Sequence, residues 1–97
     1  MSQPRLSICI VNWNTCSLLQ DCLSSIFADP AADNWEIIIV DNASSDDSVK
    51  MIQRNYSRVR LLESSSNLGF VRANNWAMKE ALADYWLLLN SDTRVEI

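Results

Sequence analysis

The sequence predicts an α/β fold, a Rossmann-like parallel sheet in the order β-α-β-α-β-α-β. Three observations carry this expectation. Short apolar runs, Leu6–Val11 and Glu36–Val40 among them, alternate with segments of helical period. Strands that alternate with helices imply a parallel sheet with crossover connections. In the strand Glu36–Val40 (EIIIV), the four residues after Glu36 are apolar without interruption, as expected where both faces of a sheet are covered. No repeat, linker or composition break divides the chain, so a single domain over residues 1–97 is expected.

Each element follows from its residues. Leu6–Val11 (LSICIV) is short and rich in β-branched residues, a strand that Asn12-Trp13-Asn14 breaks. Over Thr15–Ala28, residues Leu18, Leu19, Cys22, Leu23, Ile26 and Phe27 share one helical face. Asn14 or Thr15 can cap that helix, Asp29-Pro30 ends it, and Ala31–Asn34 reads as a loop. The second strand, Glu36–Val40, runs into Asp41-Asn42-Ala43-Ser44-Ser45. A helix from about Asp46 to Tyr56 follows, with Val49, Ile52 and Tyr56 inward and Asp46 and Asp47 in its first turn, where they favour the dipole. Val59–Glu63 is a third strand whose charges suit a sheet edge. Gly69–Ala83 is a third helix with a buried stripe of Phe70, Ala73, Ala77 and Ala81, and Tyr85–Leu89 (YWLLL) is a fourth strand.

Composition removes several function classes. The 97 residues are 48% hydrophobic with 1 Gly and 2 Pro, which excludes a disordered or low-complexity chain. Eight basic against 12 acidic residues give a net charge of −4, so the footprint for nucleic acid is missing and no nucleic-acid partner is expected. The absence of His removes His-based triads, His metal sites and His acid–base chemistry. Cys9, Cys16 and Cys22 lack CxxC spacing and read as buried small hydrophobes in a reducing compartment. No apolar run reaches bilayer-spanning length, and Met1–Arg5 lacks a signal-peptide core, so a cytoplasmic location is expected.

In an open parallel sheet, ligands bind beyond the carboxyl ends of the strands. Polar residues gather there in this chain: Asn12, Trp13 and Asn14 after the first strand, Asp41, Asn42 and Ser44 after the second. Asn67 and Gly69 open the third helix, and Asn90 and Asp92 follow the fourth strand. α/β loops are polar in any case, but that does not account for the choice of Asp41 and Asp92. Neither a G-x-G-x-x-G after the first strand nor a G-x-x-x-x-G-K-[ST] is present, which argues against a dinucleotide site and a P-loop.

Five motifs in order resemble one family: V-N-W-N (Val11–Asn14), V-D-N-A-S-S-D (Val40–Asp46), N-L-G-F (Asn67–Phe70), A-N-N (Ala73–Asn75) and L-L-L-N-S-D-T (Leu87–Thr93). Together they resemble the family 2 glycosyltransferases, in the flavour of the rhamnosyltransferase-like branch that builds bacterial surface polysaccharides. The resemblance implies the N-terminal, nucleotide-binding half of a GT-A fold. It implies that Val11 and Asn12 flank the donor base, with Asn14 in the same nucleotide-binding set. Asp41 would accept a hydrogen bond from the imide N–H of uracil or thymine, with a cap on the following loop as its alternative, and Asn67 to Phe70, Gly69 among them, would close over the nucleotide and sugar. Asn90-Ser91-Asp92 resembles the family's D-x-D. Asp92 would hold Mn²⁺ or Mg²⁺ at the donor diphosphate, while Asn90 would supply an amide oxygen or a ribose contact.

The chain also departs from the family pattern. Asn, not Asp, opens the D-x-D-like motif, Ala77 replaces a common Gly, and Asn74 stands where processive members often carry Arg. Arg72 reads as an exposed residue, with a phosphate contact as the alternative. The family's catalytic base lies well downstream, so no catalytic residue is expected within this chain. The expected function is donor binding, of a UDP- or dTDP-sugar with a divalent metal, for inverting transfer to a glycan or lipid-linked acceptor. The rival is a non-catalytic nucleotide-binding or assembly module. By the same resemblance the strands would lie in the order third, second, first, fourth. The unprotected apolar edge Tyr85–Leu89 would then support a homodimer. A full-length enzyme would sit in the cytoplasm, peripheral to the inner face of the membrane.

Overall fold

The computed structural model describes residues 3–93. Four strands and three helices alternate: β1 (Leu6–Asn12), α1 (Cys16–Phe27), β2 (Trp35–Asp41), α2 (Ser48–Asn55), β3 (Arg60–Glu63), α3 (Phe70–Glu80) and β4 (Trp86–Asn90). The strands form one parallel sheet in the order β3-β2-β1-β4, the order expected from the resemblance. The register puts Asn12 opposite Asp41, Val11 opposite Asn90, and Asp41 opposite Glu63. The carboxyl ends of all four strands therefore finish on one rim.

Side chains that alternate along the strands build a core on each face of the sheet. Ile8, Ile10, Ile37 and Ile39 meet Leu19, Cys22, Leu23 and Ile26 of α1 and Met51 and Ile52 of α2. Cys9, Ile38 and Val40 point the other way, against Ala73 and Ala77 of α3. The small alanines let α3 lie close to the sheet, and burying each large aliphatic side chain contributes about 1.5–3 kcal/mol relative to leaving it exposed. At the far end from the rim, Glu36 Oε1 accepts from the Ser7 hydroxyl (2.8 Å) and the Leu82 amide (2.9 Å), which fastens the α3–β4 turn to the sheet.

Several expectations are corrected. Pro30–Asn34 is a 3₁₀ helix, not an irregular loop, because Asp29 Oδ1 caps the Ala31 amide (2.9 Å) ahead of it. The α3 helix ends at Glu80, three residues early. Phe70 is 56% exposed and leaves the buried stripe. As the first residue of α3 it projects at the rim, beyond the β2 surface that Ala73 and Ala77 cover, and Asn74 joins them inside. Leu18, in the first turn of α1, is exposed at the same rim. Cys9 and Cys22 are buried as expected, whereas Cys16 at the start of α1 is half-buried. Asp46 and Asp47 precede α2 and are not in its first turn.

The two sheet edges differ. On β3, Arg60 reaches Glu80 (3.0 Å) and Glu36 (3.8 Å), giving the charged edge that was expected. On β4, Trp86, Leu87 and Leu88 are exposed, and no other described strand pairs beyond them.

Candidate functional site

The rim encloses a cleft of about 490 Å³, within the range of small-molecule sites. Val11, Trp13, Thr15 and Leu18 form the wall from β1 and α1. Asn42, Asn67, Gly69 and Phe70 form the facing wall, and Asn90, Ser91 and Asp92 close the side toward β4. Five of the residues expected from the sequence, Val11, Asn67, Gly69, Asn90 and Asp92, thus share one cleft.

The other three stand behind or beside the wall. Asp41 is 2% exposed and Asn12 is fully buried. Asp41 Oδ1 accepts from Asn12 Nδ2 (3.0 Å) and the Ser44 hydroxyl (2.7 Å), and its Oδ2 accepts from the Ser44 amide (2.9 Å). A carboxylate offers about four acceptor positions, so one on Oδ2 is left over. Asn14 sits at φ 53°, a left-handed conformation that Asn tolerates well. Its Oδ1 accepts from the amides of Ser45 (2.7 Å) and Asp46 (3.3 Å), which ties the β1 and β2 loops together.

Neither Asn14 nor Thr15 caps α1 through its side chain. Asp46 does so instead. Its Oδ2 accepts from the Cys16 amide (3.1 Å) while its Oδ1 accepts from the Ser48 amide (3.0 Å) and hydroxyl (2.5 Å). One carboxylate thereby serves the N-termini of both α1 and α2. Burial pushes the Asp46 carboxyl up. The bonds from Ser48 and Cys16 outweigh that and hold it below the usual carboxylate range.

The loop before α3 is pinned from two sides. Asn67 Oδ1 accepts from the Gly69 amide (2.8 Å), a tight Asx turn. Asn42 Oδ1 accepts from the Leu68 amide (3.1 Å) and its Nδ2 donates to the Gly69 carbonyl (3.3 Å). Gly69 itself has φ 80° and ψ 172°, a region essentially reserved for glycine. The turn needs Gly there for its backbone and not for space, since an added Cβ would meet nothing within 4 Å.

Thr15 and Leu18 line the cleft with no sequence signal for it, while Trp13, Asn42, Phe70 and Ser91, also on its wall, lie within the segments singled out from the sequence. Trp13 and Asn42 carried a legible signal, lying in the polar breaks after β1 and β2. Periodicity puts Leu18 on the buried helical face, and Phe70 too despite its place in the closing segment, because periodicity marks a face and not where the sheet beneath it ends.

Among the described residues, no group of three His, Cys, Asp or Glu side chains could hold a metal alone. Among the described residues Asp92 is the one carboxylate in the cleft wall, beside the side-chain amide of Asn90. Both offer hard oxygen donors. This set suits an Mg²⁺- or Mn²⁺-type ion that takes one or two carboxylates and completes its shell with substrate phosphates and water. It does not suit an ion held by protein ligands only.

The sequence model of the family described as Glycosyl transferase family 2 matches residues 7–96, and so spans the cleft and all of the sheet but Leu6. The chain belongs to glycosyl transferase family 2. Its similarity to characterised members is moderate. It is 31% identical over 93 residues to the Escherichia coli UDP-Glc:alpha-D-GlcNAc-diphosphoundecaprenol beta-1,3-glucosyltransferase WfgD, covering 95% of this chain and 36% of that protein. Among solved structures it resembles S. aureus TarS 1-349 in complex with UDP, with a TM-score of 0.83 at 20% identity, covering 91% of this chain and 27% of that one. It also resembles the mannosyltransferase PcManGT from Pyrobaculum calidifontis in complex with GDP-Man and Mn²⁺, with a TM-score of 0.82 at 22% identity, covering 95% and 28%. These likenesses show the GT-A sheet. The chain spans little more than a third of the length of the curated relatives it matches first.

Proposed function

We propose that this family 2 chain is the donor-binding part of an inverting glycosyltransferase, taking a UDP- or dTDP-sugar together with Mn²⁺ or Mg²⁺. The observation that carries the reading is the cleft itself, which brings the end of β1, the Asn67–Gly69 turn and the Asn90–Asp92 turn around one space backed by a buried carboxylate. The remaining acceptor position on Asp41 Oδ2 takes the imide N–H of uracil or thymine, a donor that cytosine lacks. The exposed ring of Trp13 offers the base a stacking face. At the other side, Asp92 and Asn90 hold the ion that accompanies the diphosphate. When bound, such an ion neutralises the diphosphate and makes it a better leaving group.

UDP in the TarS complex and UDP-Glc in the WfgD name support the choice of base. The Mn²⁺ of the PcManGT complex supports the metal. The diphosphoundecaprenol in the WfgD name supports a lipid-linked or glycan acceptor for a longer enzyme, and with it a cytoplasmic site at the inner face of the membrane. The motif spelling supports a rhamnosyltransferase-like donor, for which dTDP-rhamnose is the probe. Inverting transfer needs a base for the acceptor hydroxyl. Asp92, the one carboxylate in the described cleft wall, is committed to the ion, so the isolated chain binds donor without transferring sugar. The exposed β4 edge pairs two copies.

Titration calorimetry with UDP, dTDP, CDP, GDP and ADP, with and without Mn²⁺, tests the site. UDP or dTDP should bind most tightly, Mn²⁺ should strengthen that binding, and Asp92→Ala should remove most of the gain. Equal affinity for all five would overturn the base assignment. An unchanged UDP affinity in EDTA would overturn the metal assignment.

A further inference from the structure

Thr15 occupies the N-cap position of α1, yet its hydroxyl makes no cap bond. A Thr at that position ordinarily accepts from an amide in the first helical turn. Asp46 has taken over that duty through the Cys16 amide, which frees the Thr15 hydroxyl for something else. The hydroxyl donates to Asn12 Oδ1 (2.7 Å) and lies 2.8 Å from the Ser91 hydroxyl. Asn12 in turn donates from Nδ2 to Asp41 Oδ1 (3.0 Å).

The direction of this chain is fixed by donor counting. Asn12 Oδ1 can only accept, so the single Thr15 proton goes to it. Ser91 must then donate to Thr15. The result is a head-to-tail series, Ser91 to Thr15 to Asn12 to Asp41, ending on a carboxylate, and bonds in such a series polarise one another. It runs from the turn after β4, past the end of β1, to the end of β2. Among the described residues, Thr15–Ser91 is the one side-chain hydrogen bond that fastens the Asn90–Thr93 turn to the body of the fold.

We propose that Thr15 is a positioning residue that couples the nucleobase end of the cleft, at Asp41, to the diphosphate–metal end, at Asn90–Asp92. The inference rests on the donor-binding reading above. Through Thr15, the hydroxyl series holds the turn that carries Asp92 at a set distance from the carboxylate that reads the base. A donor must satisfy both ends at once, and an untethered turn would let the two ends bind independently.

The test uses the chain as it stands, with UDP, uridine and Mn²⁺ as probes. The readout is the factor by which Mn²⁺ tightens UDP binding, measured by calorimetry for the unmodified chain, Thr15→Val, Thr15→Ser and Ser91→Ala. Losing one such hydrogen bond corresponds to a change of about five- to tenfold. Thr15→Val and Ser91→Ala should each reduce the Mn²⁺ factor by about that much. Uridine, which has no diphosphate to engage the ion, should bind within about twofold of its affinity for the unmodified chain. Thr15→Ser should restore the Mn²⁺ factor. Ser91→Ala alters an edge turn and keeps the test valid even where Thr15→Val fails to fold. An unchanged Mn²⁺ factor in Ser91→Ala would overturn the coupling and leave the donor-binding reading intact, as would an equal loss of uridine and UDP binding. Failure of the unmodified chain to bind UDP at all would overturn the donor-binding reading and the coupling with it.

Discussion

At the scale of single residues, Gly69 and Asp41 are held by different physics. Gly69 has open space around its Cα, so replacing it costs backbone strain and no steric clash. Gly69→Ala should destabilise the chain by about 1–3 kcal/mol, or release the Asn67–Gly69 turn from Asn42. A urea melt reads the first outcome and weakened UDP binding the second. Asp41 is buried with three internal hydrogen bonds, so its substitution mixes folding and binding. Asp41→Ala should weaken UDP binding by roughly ten- to a hundredfold, the equivalent of about 1.5–3 kcal/mol for a bond to a charged group. Calorimetry on protein verified as folded by circular dichroism separates the two effects. From the sequence, Asp41 stood out as a carboxylate at a strand end. A cap by Asp41 on the loop that follows was legible, since Ser44 is 3 positions away; its bond with Asn12 was not, because that partner is 29 positions away and meets it only through strand pairing.

At the scale of elements, Asp46 links two helices that periodicity treats separately. Its two oxygens face different N-termini, Oδ2 toward α1 and Oδ1 toward α2. An Asn has a single carbonyl oxygen, so Asp46→Asn can serve one helix and not both. The expected loss is about 1 kcal/mol, typical of a missing cap, seen as a lower midpoint in thermal melts near neutral pH. The pH dependence follows from the lowered carboxyl. Its stabilising contribution is present above the unfolded value near 3.9 and is lost as pH falls through the lower folded value. Asp46→Asn should flatten the acid limb of the stability curve in that window. Equal acid limbs in the two proteins would refute the shared-cap role. The helix spans themselves were legible, since Leu19, Cys22, Leu23 and Ile26 fall on one stripe and are all buried. The shared cap was not, because the cap of α1 comes from a residue 30 positions downstream.

For the whole molecule, the two edges of the described sheet differ in their protection. β3 is guarded by Arg60 and its acidic partners, while β4 presents Trp86, Leu87 and Leu88 beside backbone groups with no pairing strand among the described residues. Leu88 shares the face of Cys9 and Leu87 that of Ile8, by the β1–β4 register, so both faces of this edge are apolar. Such an edge is a template for another strand. Two copies related by a two-fold axis would pair β4 antiparallel and extend the sheet. Sedimentation at micromolar concentration should show a dimer, and Leu88→Lys should return it to monomer. A monomer across that range in the unmodified chain would refute the edge argument.

The sequence by itself determined the element order, the parallel sheet and the end of the sheet that carries the site. Those properties rest on local periodicity and on the position of polar breaks after apolar runs, all within a few residues of one another. The five motifs that carried the family resemblance are local in the same way. Tertiary structure alone decided which of the rim residues share the cleft. It placed Val11, Asn67, Gly69, Asn90 and Asp92 on the wall with Trp13 and Asn42, and drew Asn12 and Asp41 behind it. It also turned Leu18 and Phe70 outward at the sheet's end and gave the Thr15 hydroxyl to Ser91, 76 positions away. The physical reason is that a side chain's exposure and its hydrogen-bond partners depend on where neighbouring strands stop, and strand register sets this between segments distant in sequence.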